Sequence, residues 1–320
     1  MHEWRQKLKK YPVGQGAIQL EKIGTFPSPG DENKGDYLWN AERMGGDRTG
    51  DIIVADKRAC KIFVFSSAGR IEYKWGRRGQ GPGEFQNPYS LAVNGKTLVI
   101  SDTKNLMLSF FDFSGKFMRG IKMFRAYYDI ALNQEGNLYA APLRTTKEAP
   151  LIDVLDGNGR LINSFGQPLQ GAGEDWLLSN FVIIDLSEDG DLIVAYQHHP
   201  VVSRYSKSGH LIATYHINHN IMKDDDAYNQ KRSIRSGILR VIYTIRTARD
   251  GFFVLHSYPR IEIMEFNYRG DLINDYYFEE SYDSLFADLI VRTENGHMVF
   301  YVLQTSPRNE IIALRPKQIP

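Results

Sequence analysis

The chain has a single cysteine, no excess of either charge, and no stretch approaching the roughly 18 consecutive apolar residues of a membrane-spanning helix. One cysteine excludes an intramolecular disulfide, and Cys60, inside an alternating apolar run, reads as a small buried hydrophobe instead of a nucleophile. The lack of a long apolar run predicts no helical membrane span. Lys and Arg total 39 against 38 Asp and Glu, so no global field draws the protein toward nucleic acid or an anionic membrane, and nucleic-acid binding is not expected. The opening residues Met1-His2-Glu3-Trp4-Arg5 lack the apolar core of a signal peptide, which predicts a cytoplasmic protein if Met1 is the native start. No Gly-x-Ser-x-Gly elbow occurs, so no catalytic residue is assigned.

What is present is a repeat. A short apolar strand, a turn with Gly or Asn, a second apolar strand, a polar loop, a third strand, a Gly turn and a fourth strand follow one another many times. The clearest copy runs from Tyr89 to Met123: Ser90-Leu91-Ala92-Val93, the turn Asn94-Gly95-Lys96, Thr97 to Asp102, then Leu106 to Phe113, the turn Ser114-Gly115, and Lys116 to Met123. Other copies centre on Ile52 to Asp56, Leu138 to Ala140, Leu192 to Ala195 and Phe252 to Leu255. The turn glycines Gly69, Gly115, Gly159, Gly209 and Gly270 recur at about 45 to 60 residues, the length of a four-stranded blade with loops. Runs such as Ile62-Phe63-Val64-Phe65 are short, β-branched and aromatic, which favours strands over buried helix.

A sixth copy begins at Leu289 and ends with a third strand, Glu310 to Leu314, while one strand-length segment, Ala17 to Phe26, is left over at the N-terminus. The deficit and the surplus match. The pattern therefore predicts an all-β fold, a six-bladed β-propeller of four-stranded antiparallel blades whose ring is closed by the N-terminal strand completing the last blade. Residues 1–16 are read as an extension, 17–320 as one propeller domain, and 218–239 as an insertion between blades four and five, with a short helix around Ala227 to Arg235.

Gly76-Arg77-Arg78-Gly79-Gln80-Gly81-Pro82-Gly83-Glu84-Phe85-Gln86-Asn87-Pro88, followed by a strand and Ile100-Ser101-Asp102, resembles the NHL-repeat signature. The resemblance covers this repeat in full; elsewhere only the strand and turn pattern is shared, as in the divergent bacterial six-bladed propellers similar to NHL proteins. It implies the same fold and tilts localisation toward the bacterial cell envelope, after removal of an export signal. The Gly-rich stretch lacks the Gly-Lys-Ser/Thr ending of a phosphate-binding loop and leads into a strand, so it is read as a linker. Asp56 and Asp102 end equivalent second strands and are expected to accept backbone N–H bonds from the loops that follow.

In an antiparallel blade, the loops between strands two and three share a face with the interblade linkers. Those loops hold Lys57 and Arg58, Lys104, Arg144 and Lys147, His198 and His199, His256 and Arg260, and Arg308, and the linkers add Arg77, Arg78 and Arg125. A basic rim of this kind predicts a binding or scaffold propeller that recognises a protein partner or a small anionic ligand, with no cofactor. Arg58, Lys104, Arg144, His198, His199, His256, Arg260 and Arg308 are its candidate residues. The alternative is a metal-dependent lyase or hydrolase at the mouth of the central channel, with Zn²⁺ or another divalent metal held by His198, His199, His219 and His256. Propellers similar to this one include lyases and lactonases with such metals, but no motif around these histidines matches theirs. Asp224-Asp225-Asp226 lacks the alternation of a calcium loop and reads as a solvated turn or helix start.

Overall fold

The computed structural model describes residues 9–27, 37–46, 50–95, 97–142, 149–169, 180–231, 238–279 and 284–318. Among them are 24 strands and one helix longer than a turn. Four sheets have four strands each, in sequence order. They are β2(Ala41–Gly46) to β5(Ile71–Trp75), β6(Pro88–Asn94) to β9(Phe117–Lys122), β10(Tyr127–Leu132) to β13(Leu161–Phe165), and β14(Val182–Leu186) to β17(Leu211–His216). A fifth set runs from β18(Thr244–Ala248) to β21(Leu272–Phe278). The last comprises β22(Leu285–Glu294), β23(His297–Ser306) and β24(Glu310–Pro316), completed by β1(Ile18–Phe26).

The chain divides into two compact units. Unit 1 comprises residues 1–19, 141–154 and 161–282; unit 2 comprises 20–140, 155–160 and 283–320. In unit 2, β1 runs antiparallel to β24 from Leu20 opposite Pro316 to Phe26 opposite Ile311, with a bulge between Lys22 and Gly24. The N-terminal strand thus supplies the missing fourth strand, as the count of copies predicts.

The continuous apolar runs have a direct cause. In β3(Ile52–Asp56), Ile52 and Val54 enter one core with Phe63, Phe65, Ile290 and Tyr301, while Ile53 and Ala55 enter another with Ile62, Leu98, Ile100 and Phe111. Successive side chains of a strand point to opposite faces, so a strand packed on both must be apolar at every position. β5, the outermost strand of that sheet, alternates instead, with Glu72 and Lys74 exposed. The rigid second and third strands are the ones that carry the loops of interest.

The turn glycines serve a second purpose beyond a positive φ. At Gly69, with φ of +78°, an added Cβ would lie 2.3 Å from the ring of Phe26, the last residue of β1. At Gly209 it would lie 2.5 Å from the ring of Phe165, the last residue of β13. Each such glycine lets the turn between strands three and four of one blade rest on the end of the fourth strand of the blade before it.

The insertion differs from expectation. Its helix, α1(Asn220–Gln230), starts seven residues before Ala227, and part of the expected span, residues 232–235, lies outside the described residues. Packing moves the helix forward: Ile221 and Met222 are buried in the apolar cluster of unit 1 beside Ile217, Val241 and Ile242. Asn229 at its far end bonds the carbonyls of His198 and Leu239, with Nδ2 at 3.0 and 2.9 Å. Tertiary burial outweighs the poor helix propensity of three consecutive aspartates. No described helix is long and apolar enough to cross a membrane.

Candidate binding face

In unit 2 the loops after β3 and β7(Thr97–Asp102) are built alike. Asp56 Oδ1 accepts from the backbone N–H of Arg58 (3.0 Å) and Ala59 (2.8 Å), and Oδ2 from those of Trp39 and Asn40 in the incoming linker. Asp102 repeats the pattern with Lys104 and Asn105 in its loop and Gln86 and Asn87 in its linker. Each loop ends four residues after its aspartate in a positive φ, at Cys60 (53°) and Leu106 (49°). These carboxylates fasten loop to linker, which places both on one face, as antiparallel topology requires. Cys60 therefore sits at the end of a turn and not within a strand. Its thiol is buried, and burial pushes it above its ordinary pKa, which makes it a poor nucleophile.

The Gly-rich linker is closed on itself. Glu84 accepts from the backbone N–H of Gln80 (3.1 Å) and Gly81 (2.8 Å) and pairs with Arg77 (2.7 Å). These bonds hold its carboxyl below the usual range. N–H groups that a phosphate would need are already taken by the chain's own carboxylate.

Because backbone and aspartate close these loops, their side chains are released. Arg58 and Lys104 occupy the same place, two residues past the aspartate, and both are exposed, as are Arg78 and Arg308. Arg78 and Lys104 both lie near enough to Cys60 to act on its thiol electrostatically. The Arg58 guanidinium sits 4.9 Å over the ring of Trp39, which stacks on Tyr37 at 5.1 Å and 14°. Trp39 and Tyr37 are 42% and 39% exposed, so the stack presents two aromatic faces and a guanidinium to solvent. Arg144 lies outside the described residues.

Lys57 turns inward from the same loop. Its Nζ is 2.7 Å from Glu42 and 4.7 Å over the ring of Tyr89, which packs on Tyr128 at 4.8 Å. Beyond lies Arg43, 2% exposed, with Nε 3.4 Å from Asp129 and Nη1 bonded to the carbonyl of Glu42. Ser90 donates to Asp129 (2.8 Å), and Asp288 accepts from the N–H of Met44 (2.7 Å). Among the described residues Arg43 Nη2 has no hydrogen-bond partner. These residues stand on β2, β6, β10 and β22, the first strands of their blades. Sequence reading passed over them, although a charge inside an apolar run, as in Tyr127-Tyr128-Asp129-Ile130-Ala131-Leu132, is a usable signal.

In unit 1 the equivalent loops are built differently. His198 Nδ1 is 2.8 Å from the carbonyl of Leu239, and burial lowers its pKa to about 4. His199 Nδ1 lies 2.6 Å from Asp226. His256, at the end of β19(Gly251–His256), has Nδ1 2.8 Å from the carbonyl of Val241 and Nε2 2.7 Å from that of Tyr258. His219, just before α1, lies 3.0 Å from Glu262. Arg260, 4% exposed, pairs with Glu262 at 2.5 Å. The four histidines are thus each turned to a different partner, and among the described residues no three metal-ligating groups converge. Asp226 and Asp224 are helix residues with partners, the latter bonded to Lys10 and Tyr11.

Residues 47–170 match the model of DUF5128, a family described as a 6-bladed beta-propeller. No curated protein matches the chain by sequence. Among solved structures, a presumptive exported protein of Bacteroides fragilis aligns with a TM-score of 0.62 at 13% identity, over 96% of this chain and 98% of its own. A DUF4221 member from Bacteroides vulgatus gives 0.61 at 12% identity, over 95% and 99%. An inactive variant of Staphylococcus aureus virginiamycin B lyase, solved with quinupristin, gives 0.54 at 10%, over 93% and 99%. Together with the strand order, these findings make the chain a six-bladed β-propeller of four-stranded antiparallel blades. Such a fold suits a binding or scaffold role.

Proposed function

We propose that the protein is a binding module and that the loop face of unit 2 engages an acidic surface of a partner protein. The observation that carries this reading is the exposed stack of Arg58 on Trp39 on Tyr37, with the exposed cations Arg78 and Lys104 both close to Cys60 at the end of the Arg58 loop. Trp, Tyr and Arg dominate the energetics of protein interfaces, and a rigid aromatic pair with a preset guanidinium loses little entropy on binding. The aspartate-closed loops beneath keep the patch in place. Likeness to the presumptive exported Bacteroides protein supports a site of action outside the cytoplasm.

The test uses fluorescein-labelled poly-L-glutamate as an acidic probe. Binding to the intact protein is expected to weaken steeply between low salt and about 0.2 M salt. The triple variant Trp39→Ala, Arg58→Ala, Lys104→Ala is expected to lose about tenfold or more in affinity. Salt-insensitive binding, or an affinity unchanged in the triple variant, sinks the reading.

A further inference from the structure

Unit 1 holds a second arrangement, independent of the patch on unit 2. Arg260 and Glu262 form a buried pair beside His219, and Asp275 on β21 shares their face. Burial and the charge of Glu262 raise the pKa of Asp275 to about 6, while His219 and Arg260 hold that of Glu262 down to about 2 against the opposing effect of its burial. Over this cluster lies the chain that precedes β1. The carbonyl of Tyr11 accepts from Arg260 Nη1 (2.8 Å), and its ring joins the buried apolar cluster of Ile217, Ile221 and Met222. The Tyr11 hydroxyl and Lys10 Nζ both reach Asp224 on α1, at 2.5 and 2.7 Å. Gly14 rests on Asp275, where an added Cβ would lie 3.5 Å from Oδ2.

The segment is thus held by one aromatic ring, one ammonium group and one backbone carbonyl, which is how a groove reads a peptide ligand. Asp224, which both Lys10 and Tyr11 reach, suits a cation next to a tyrosine in the bound peptide. Yet among the described residues Arg260 Nε, His219 Nδ1 and Asp275 Oδ1 remain buried with no hydrogen-bond partner. Buried polar atoms without partners disfavour the closed arrangement, and a cover with no other task has no reason to leave three of them. A longer or differently placed peptide offers further N–H and C=O groups to meet them.

We propose that this side of unit 1 is a docking groove for a peptide carrying a Lys-Tyr or Arg-Tyr pair, which residues 10–14 occupy in cis and a partner peptide displaces. The probe is a fluorescein-labelled synthetic peptide of Lys9 to Ala17, titrated by anisotropy against the full chain. The Tyr11→Ala chain, verified as folded by circular dichroism, is expected to bind it about tenfold more tightly than the wild type, because the cis segment no longer competes. Adding Asp224→Ala is expected to remove that gain, and a probe with alanine in place of tyrosine to show none. If Tyr11→Ala does not fold, Lys10→Ala, which alters an exposed side chain only, is titrated instead, with an expected gain of about threefold. A folded variant without any gain overturns the proposal, as does equal binding of the alanine probe. Neither outcome touches the poly-L-glutamate assay, which reads unit 2 alone.

Discussion

Units 1 and 2 carry equivalent loops between second and third strands, and they put charge in those loops to opposite uses. In unit 2 the second strands β3 and β7 end in Asp56 and Asp102, whose carboxylates gather the backbone N–H groups of loop and linker. Arg58 and Lys104 are then spare and face water, while Lys57 turns inward to Glu42. In unit 1, β15(Leu192–Tyr196) and β19 end in Tyr196 and His256, with no aspartate to do this work. The side chains His198, His256 and Arg260 hold their own loops instead, by bonds to the carbonyls of Leu239, Val241, Tyr258 and Tyr11. One residue type at the end of a strand decides whether a basic loop is available for a ligand or consumed by the fold.

The largest expected effect follows from this difference. Arg260→Ala leaves Glu262 buried beside an empty space and frees the carbonyl of Tyr11. Removing one partner of a buried pair typically costs about 3 to 5 kcal/mol. Arg58→Ala, in the equivalent loop of unit 2, removes only an exposed stacking contact and is expected to change stability by no more than about 0.5 kcal/mol. Urea unfolding of the two variants measures both. Similar small losses at the two sites would erase the distinction between the loops.

A control comes from what the units share. Gly69 in unit 2 and Gly209 in unit 1 abut Phe26 and Phe165 in the same way, each at positive φ. Alanine at either position meets both a disfavoured backbone and an aromatic ring, so each variant is expected to lose about 2 to 4 kcal/mol in the same assay. Unequal losses would mean that the units differ in rigidity and not merely in loop chemistry.

Much of this architecture was legible in sequence for physical reasons. Strands buried on both faces write themselves as unbroken apolar runs, and tight turns as glycines, so the copies could be counted. The leftover segment ending at Phe26 could therefore be matched to the incomplete sixth copy. The roles of Asp56 and Asp102 were also readable, because a carboxylate at a strand end has few other uses. The partners of the basic loop residues were not. Nothing in the spacing of His198, His256 and Arg260 shows that Leu239, Val241 and Tyr11 face them, since those partners are brought in from 41, 15 and 249 residues away in sequence. Arg43 and Asp129 were missed for the same reason: they meet across 86 residues of sequence.

Titration of unit 1 gives the finest discrimination. His198 is held neutral, with a pKa lowered from 6.5 to about 4 by burial, to which Arg240 and His199 add. The unfolded chain binds this proton first, so stability present above pH 6.5 is lost as pH falls toward 4, by up to about 3 kcal/mol. Asp275 acts in the opposite sense. Its pKa is raised from 3.8 to about 6 by burial and Glu262, against the smaller influence of His219 and Arg260. The folded state therefore holds this proton more tightly, and the stability it contributes is full below pH 3.8 and lost as pH rises through 6. The group is only part-buried, which reduces the effect to about 1 to 2 kcal/mol. Glu262, lowered to about 2, stays ionised in the folded state throughout this window, so its contribution is lost only in stronger acid. Acidification from pH 7 to 5 is accordingly expected to destabilise the wild type, an Asp275→Asn variant more so, and a His198→Asn variant least. Hydrogen exchange at the two pH values localises the change: amides of β19 and β20(Ile261–Asn267) should respond, while those of β3 and β7 stay as they are. A response of equal size in β3 and β7 would show that the buried titration of unit 1 is not its source.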